Sequence, residues 1–307
     1  MSPREIHSSV GTNVALLIVG VIAASMSGPL MAAATAVPAL AMSLWRTGLG
    51  AAVLWPFGTT RYRAELHDLP RREIVRSCFA GVMLAAHFAT WTSSLKYTSV
   101  ASATALVCLQ GAWVVVLVRL SGNRVERQVW GGLALAFAGV LVVSGVDFSV
   151  SSSALTGDAL AVAGGLFAAV YVVVGSRVRA YATTTAYTLI CYSTSAAALL
   201  VTCLLSGTQI GGFDARSWLL IVAVTVVAQL LGHSIFNHVL ATMSPTVVSL
   251  TLLLEVPGAA LIAAVFLGQA PPVAVYGGLA LILIGLAIVV RARAAQPSSA
   301  QSHIPLD

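Results

Sequence analysis

Long apolar runs, separated by short polar stretches, occupy most of the chain between residues 13 and 291. A bilayer core of about 30 Å is crossed by about 20 apolar residues in a helix, so these runs predict an all-α polytopic membrane protein with ten transmembrane helices. Only 8% of the residues are charged, whereas a soluble domain has roughly a quarter. The predicted helices cover residues 13–34, 38–56, 74–95, 98–119, 129–146, 158–177, 185–205, 217–240, 244–267 and 273–291.

Basic residues lie between the apolar runs and favour one side of the membrane. If both termini are cytoplasmic, 13 of the 16 Lys and Arg residues lie in inside segments, while Lys96 and Arg216 lie outside and Arg46 lies within a helix. Cytoplasmic loops are enriched in Lys and Arg. We therefore expect a multi-pass protein of a bacterial-type inner membrane with both termini in the cytoplasm. The positive net charge then reflects membrane insertion and does not indicate nucleic acid as a partner.

The two halves of the chain align with each other at an offset of 146 residues. This offset places Gly11 on Gly157, and it places residues 130–143, WGGLALAFAGVLVV, on residues 276–289, YGGLALILIGLAIV. A fixed register across helices and loops indicates an internal repeat. The predicted organisation is a cytoplasmic segment at 1–12, a five-helix repeat at 13–146, a second five-helix repeat at 147–291 and a disordered cytoplasmic tail at 292–307.

Because five is an odd number, the second repeat must enter the membrane in the opposite orientation to the first. Inverted repeats of this kind exchange inward-open and outward-open shapes around a site near the bilayer midplane. The architecture therefore favours a carrier that works by alternating access.

Nine residues occur in a characteristic order along the chain, namely Arg46, Tyr97, Thr98, Ser99, Gly157, Glu255, Pro257, Leu267 and Gly268. In this order the chain resembles the EamA branch of the drug/metabolite transporter superfamily, from about residue 11 to residue 291. Two departures concern the ends of the fourth and ninth helices, where family members often have Glu and this chain has Asn123 and Gln269. The fourth helix also lacks the proline that is frequent in the family, because the repeat offset places Gly111 on Pro257. The resemblance implies export of amino acids, other small metabolites or drug-like compounds.

Two charged residues, Arg46 and Glu255, fall near the middle of predicted helices. Glu255 lies about 16 Å from the start of its helix, and Arg46 lies about 12 Å from the outer end of its own. A charge near the bilayer centre costs roughly 2.5–3.5 kcal/mol, so such a residue needs a partner or a water-filled cavity. Glu255 is the candidate for proton coupling and Arg46 a candidate for substrate binding. A static ion pair between them, or an Arg46 side chain that extends to the outer surface, is the alternative.

A polar stripe marks the eighth predicted helix, where Gln229, His233 and Asn237 are spaced by four residues. Residues four apart lie on one face of an α-helix. The repeat offset places His233 on His87 and Asn237 on Trp91 of the third helix, so both halves are expected to line one central cavity. Packing histidines with no ligand are the alternative. Further candidates for the cavity are Gln110, Tyr171 and Tyr192.

No catalytic residues, metal site or cofactor are predicted. His233 and His238 are five residues apart and diverge around a helix, unlike the paired histidines of H-E-x-x-H. The expected partners are a small-molecule substrate, the lipid bilayer and protons as a coupling ion, and a homodimer is left open. A receptor, channel or assembly protein without transport, and an intramembrane enzyme, are the alternatives to a carrier.

Overall fold

The computed structural model describes residues 10–122, 125–150, 153–270 and 272–294, and every regular element within these ranges is helical. We number the long helical segments α1 to α10 in chain order and treat a segment with an internal interruption as one; a short helix, Arg63–Asp68, lies between the second and third of them and is not numbered. In the first half they are α1 (Val10–Ser25 and Ser27–Ala33), α2 (Ala39–Thr60), α3 (Arg71–Ser94), α4 (Val100–Val107 and Gln110–Leu120) and α5 (Arg127–Val150). In the second half they are α6 (Ala154–Arg179), α7 (Thr184–Leu205), α8 (Ala215–Ala223, Val224–His233 and Ser234–Val239), α9 (Pro245–Thr251, Leu252–Leu254 and Glu255–Leu267) and α10 (Val273–Ala294).

Many of these helices are long and apolar enough to cross a membrane, which makes the chain a multi-pass membrane protein. Arg127–Val142 and Val273–Val289 are shorter apolar stretches. Because these two stretches are shorter, ten crossings in all remain a prediction. Asn123 and most of the expected tail, 295–307, lie outside the described residues. Seven stretches have the required length and composition: Gly11–Ala33, Arg71–Ser94, Val100–Leu120, Ala154–Arg179, Thr184–Leu205, Ala215–Val239 and Pro245–Leu267.

The surface of the bundle is apolar, and several of its buried side chains are polar. Leu205 is 84% exposed and Phe266 is 78% exposed, whereas Arg46 and Gln229 are fully buried. Soluble proteins rarely expose large contiguous apolar surfaces, but lipid solvates such side chains. Polar groups in lipid must find partners inside the protein, and this requirement gathers them at the centre of the bundle.

The fifth helix of each half packs against the other along a seam of glycines. A Cβ atom at Gly132 would lie 2.6 Å from the carbonyl oxygen of Gly285, and one at Gly139 would lie 2.5 Å from that of Gly278. Small residues let helix backbones approach closely in membranes. Since the residue numbers rise along α5 while they fall along α10, these two helices run antiparallel at their contact.

The fourth helix of each half is interrupted at equivalent positions, and the sequence prediction of two continuous helices missed this. In α4, the Gly111 N–H donates to the Cys108 carbonyl oxygen at 3.2 Å, and the Val107 carbonyl oxygen faces the backbone of Gly165 in α6. In α9, a 3₁₀ turn covers Leu252–Leu254. Pro257 explains this turn, because proline has no N–H to donate to the carbonyl four residues earlier.

Candidate functional site

A cavity lies between the two halves of the chain, where α4 and α9 are interrupted. It contains about 40 Å³ in which the centre of a water molecule fits, enough for roughly three waters. The first half contributes α1, α3 and α4 to its wall, and the second half contributes α8 and α9. The polar groups of the wall are Ser27, His87, Trp91, Cys108, Gln110, His233 and Glu255.

The structure brings the two repeat-related histidines together in this wall. The ring centroids of His87 and His233 lie 6.3 Å apart, and the ring of Trp91 stacks on His87 at 5.8 Å with an interplanar angle of 9°. Nδ1 of His87 lies 3.0 Å from the carbonyl oxygen of Gly164. A carbonyl oxygen can only accept, so Nδ1 carries the hydrogen and Nε2 of the neutral ring is free to accept a hydrogen bond.

Several polar groups of the wall have no hydrogen-bond partner among the described residues. They include the Trp91 Nε1–H, which is buried, the Gln110 amide and both ring nitrogens of His233. The Glu255 carboxylate also has no hydrogen-bond partner among the described residues, and Glu255 is only 8% exposed. Buried polar groups are normally paired with protein, water or a ligand. The cavity is therefore a place where water or a polar solute would be bound.

Two half-helices begin at the cavity, and each has a polar residue at its first position. Gln110 opens the second half of α4, and Glu255 opens the last part of α9. The N-terminus of a helix carries a partial positive charge, which stabilises a nearby carboxylate by about 0.3–1 kcal/mol. Interrupted helices whose ends face a midplane site are common in transporters. No residue pattern in the sequence predicts the break in α4.

Arg46 is completely buried beside the cavity but is not part of its wall. Its Nε donates to Oε1 of Gln229 at 2.9 Å, and one guanidinium nitrogen donates to Ser27 Oγ at 3.2 Å. The guanidinium also lies 3.9 Å from the ring centroid of Phe88, and Phe88 in turn packs edge-on against His233. Among the described residues, no carboxylate lies within 4.0 Å of Arg46, so it does not form an ion pair with Glu255, although the two charges interact at longer range.

The remaining predicted residues lie next to the cavity. The Tyr192 hydroxyl donates to the Gln229 carbonyl oxygen at 3.3 Å. The Tyr171 hydroxyl donates to Oδ1 of Asn237 at 2.5 Å, with its ring centroid 6.5 Å from that of His233. These side chains support the residues of the wall.

Sequence reasoning missed Ser27, Cys108, Phe88 and Arg179. Arg179 was counted with the cytoplasmic loops, yet it is 4% exposed, and its Nε donates to the Asn237 carbonyl oxygen at 2.8 Å. Phe88 is adjacent to His87 in the chain, but its place between Arg46 and His233 depends on how α2, α3 and α8 pack. No pattern in the sequence distinguishes these four residues from other packing residues.

Comparisons with known proteins agree with this architecture. The family model described as the EamA-like transporter family matches the chain twice, over residues 12–145 and 155–291. Among solved structures, 28 chains match. One of them, described only as a crystal structure of a protein, superposes with a TM-score of 0.71 over 94% of this chain and 100% of its own length, at 20% sequence identity. No curated protein matches.

Proposed function

The chain belongs to the EamA-like transporter family, and on this premise we propose that it is a secondary active transporter that moves a small solute by alternating access. The observation that carries the proposal is the polar cavity between the two halves, at the level where both fourth helices are interrupted. The proposed substrates are amino acids, other small metabolites or drug-like compounds, and the proposed direction is export across a bacterial-type inner membrane.

The proposal includes ten crossings, with the two repeats inserted in opposite orientations. It is supported by the antiparallel contact of α5 with α10, since these are equivalent helices of the two repeats. The contact is also reciprocal: Gly132 faces Gly285, and its repeat counterpart Gly278 faces Gly139, the counterpart of Gly285. A reciprocal contact is what a two-fold axis between the halves produces. With both termini in the cytoplasm, this axis lies in the plane of the membrane.

The size of the cavity supports a mechanism in which the halves move. The cavity volume of about 40 Å³ is far below the roughly 300–1,000 Å³ of pockets that bind drug-sized ligands. A metabolite therefore enters only after the halves separate at one end. In this compact conformation, water is the natural partner of the free groups on Trp91, Gln110, His233 and Glu255.

Glu255 is the proposed site of proton coupling. Its carboxylate faces the cavity without a hydrogen-bond partner among the described residues, and Arg46 is held nearby by Gln229 and Ser27. A carboxylate in this position can exchange a proton with the cavity water, while the locked guanidinium supplies a constant positive charge. Binding of a proton or of a cationic substrate group then changes the net charge of the centre, which is a physical means of coupling one to the other.

Purified protein in liposomes tests both parts of the proposal. The assay measures uptake of amino acids, other small metabolites and drug-like amines with and without an imposed pH gradient, against empty liposomes. Substrate-dependent flux is expected, and flux absent across the whole panel would contradict a carrier. A steady conductance that needs no substrate would instead indicate a channel.

The Glu255→Gln variant tests the proton site itself. It is expected to lose the dependence of transport on pH, whereas Asp68→Asn, which removes an acid on an exposed short helix, should behave like the parent. Size-exclusion profiles establish that both variants are folded. Full transport by Glu255→Gln with an unchanged pH profile would remove Glu255 from proton coupling and leave the carrier proposal in place.

A further inference from the structure

Among the hydrogen bonds that connect the halves of the chain outside the cavity, two ties lie at opposite ends of the α2–α7 pair. These helices pack against each other and run antiparallel, since Gly48 faces Ala196 near the middle of the pair and Gly58 faces Leu189 nearer one end. Each tie is made by the loop between the second and third helices of one half, which reaches across to the second helix of the other half.

The first tie joins Glu65 to Thr183 at the end of the bundle that is expected to face the cytoplasm. Glu65 belongs to the short helix Arg63–Asp68, which follows α2. Its carboxylate accepts hydrogen bonds from the backbone N–H of Thr183 at 2.6 Å and from its hydroxyl at 2.9 Å. Thr183 is the N-cap of α7, so the carboxylate also lies at the positive end of a helix dipole.

The second tie joins Trp45 to Ile210 at the opposite end. The indole Nε1–H of Trp45 in α2 donates to the carbonyl oxygen of Ile210 at 2.7 Å. The Trp45 ring packs edge-on against Trp218 of α8, with centroids 5.0 Å apart. Ile210 lies in the loop after α7, which is the repeat counterpart of the loop that carries Glu65.

The Glu65 tie is connected to the cavity wall. Arg179 donates from Nη2 to Thr184 Oγ1, at the residue after Thr183, and from Nε to the carbonyl oxygen of Asn237. Asn237 accepts from Tyr171, whose ring contacts His233. A path of contacts through Thr184, Arg179, Asn237 and Tyr171 thus leads from the tie to His233 in the cavity wall. Release of the tie would change the restraints on α8, which carries His233.

We propose that these two ties are the gates of the carrier: the Glu65–Thr183 tie holds the cytoplasmic end closed, and the Trp45–Ile210 tie holds the outer end closed. The inference rests on the proposed transport function and adds the residues that govern access from each side. Both ties are formed in the conformation in which the cavity has room for only about 40 Å³. The cytoplasmic gate is the stronger one, because hydrogen bonds to a carboxylate are roughly twice as strong as neutral ones.

Native Cys108 provides the reporter, because it lines the cavity. In a background with Cys78, Cys191 and Cys203 replaced by alanine, a membrane-impermeant maleimide is added to right-side-out or to inside-out vesicles, and the rate of Cys108 labelling is measured from each side. Glu65→Ala is expected to raise the rate from the cytoplasmic side about tenfold, from the loss of charge-assisted hydrogen bonds. Asp68→Ala, on the same short helix, is the matched control and should leave the rate unchanged.

Trp45→Phe tests the other gate, since it removes the indole N–H while keeping a ring against Trp218. It is expected to raise labelling from the outer side, and Trp55→Phe, at a 58% exposed position of the same helix, is its control. If Glu65→Ala does not fold, Glu65→Gln takes its place, with a smaller increase because one acceptor oxygen remains.

The outcomes separate the two proposals. If Cys108 is labelled in the parent but Glu65→Ala and Trp45→Phe match their controls, the ties are not gates, while the hydrated cavity stands. If Cys108 is labelled from neither side in the parent and in all variants, the hydrated cavity is refuted, and the transport proposal and the gates fail together.

Discussion

A single added methyl group at Gly132 tests the seam between α5 and α10. A Cβ atom at this position would lie 2.6 Å from the carbonyl oxygen of Gly285 and 2.7 Å from Cγ2 of Val289. The Val289 side chain can rotate away, but a helix carbonyl cannot. Since carbon and carbonyl oxygen normally approach to about 3.3 Å, Gly132→Ala requires the helices to separate locally by about 0.7 Å.

The expected cost is about 1–3 kcal/mol, the usual range for overpacking an interior contact. Gly131→Ala is the matched control, because a Cβ atom there meets nothing within 4 Å. In both variants alanine is favoured over glycine in a helix by up to about 1 kcal/mol, so this gain cancels in the comparison. The two neighbouring variants should therefore differ by about 1–3 kcal/mol in their free energy of unfolding, although the chemical change is identical.

Reversible unfolding in mixed micelles with increasing fractions of a denaturing detergent measures this difference. Gly139→Ala should resemble Gly132→Ala, since its Cβ atom would meet Gly278 at 2.5 Å, and Gly277→Ala, with nothing within 4 Å, should resemble the control. Equal free energies of unfolding for Gly131→Ala and Gly132→Ala would refute close contact along the seam. That result would also remove the reciprocal contact that supports an inverted repeat.

Two further predictions concern the cavity wall and the start of α8. Trp91→Phe keeps a ring on His87 but removes the free Nε1–H, so it should raise the KM for substrate in liposomes about tenfold. The control variant Trp113→Phe, outside the cavity wall, should leave the KM unchanged. An unchanged KM for Trp91→Phe would exclude Trp91 from substrate binding. Hydrogen bonds from Ser217 lower the pKa of Asp214. The Asp214 carboxylate therefore stabilises the α8 N-terminus fully above the unfolded pKa of about 3.9. This stabilisation is lost as the pH falls through the lower pKa of the folded protein. The protection factors of the amides at the start of α8, which are exchange rates corrected for their intrinsic pH dependence, should therefore fall in acid. Asp214→Asn should abolish this fall, and an equal fall in the variant would contradict the capping role.

The helical fold and the juxtaposition of the two histidines could be predicted because both follow from patterns along one chain. Apolar length alone places the helices, and the repeat offset relates His87 to His233 without knowledge of any contact. The family resemblance, carried by residues such as Arg46, Glu255 and Pro257, is confirmed by the family model over both halves. These features are encoded locally or by regular spacing.

Features that depend on contacts between helices could not be predicted. No residue near Cys108 requires a break in α4, and the change in hydrogen bonding there accompanies the close approach of Gly165 from α6. Arg46 and Glu255 are both expected near the middle of the membrane, but the depth of a residue does not determine which way its side chain points. The partners of Arg46 are neutral, namely Gln229, Ser27 and the Phe88 ring, because these side chains face it from α8, α1 and α3.

The π-helical segment Val224–His233 lies within the polar stripe of α8, and the three residues of the stripe have three different partners. A π turn closes hydrogen bonds five residues apart rather than four, so the angle between Gln229 and His233 around the helix differs from that in a regular α-helix. Gln229 accepts a hydrogen bond from Arg46, His233 lines the cavity, and Asn237 accepts hydrogen bonds from Tyr171 and Arg179. Because a single helix carries residues beside the buried charge, in the cavity wall and on the path to the proposed Glu65 gate, a displacement of α8 changes all three together, which is the coupling that the proposed alternating access requires.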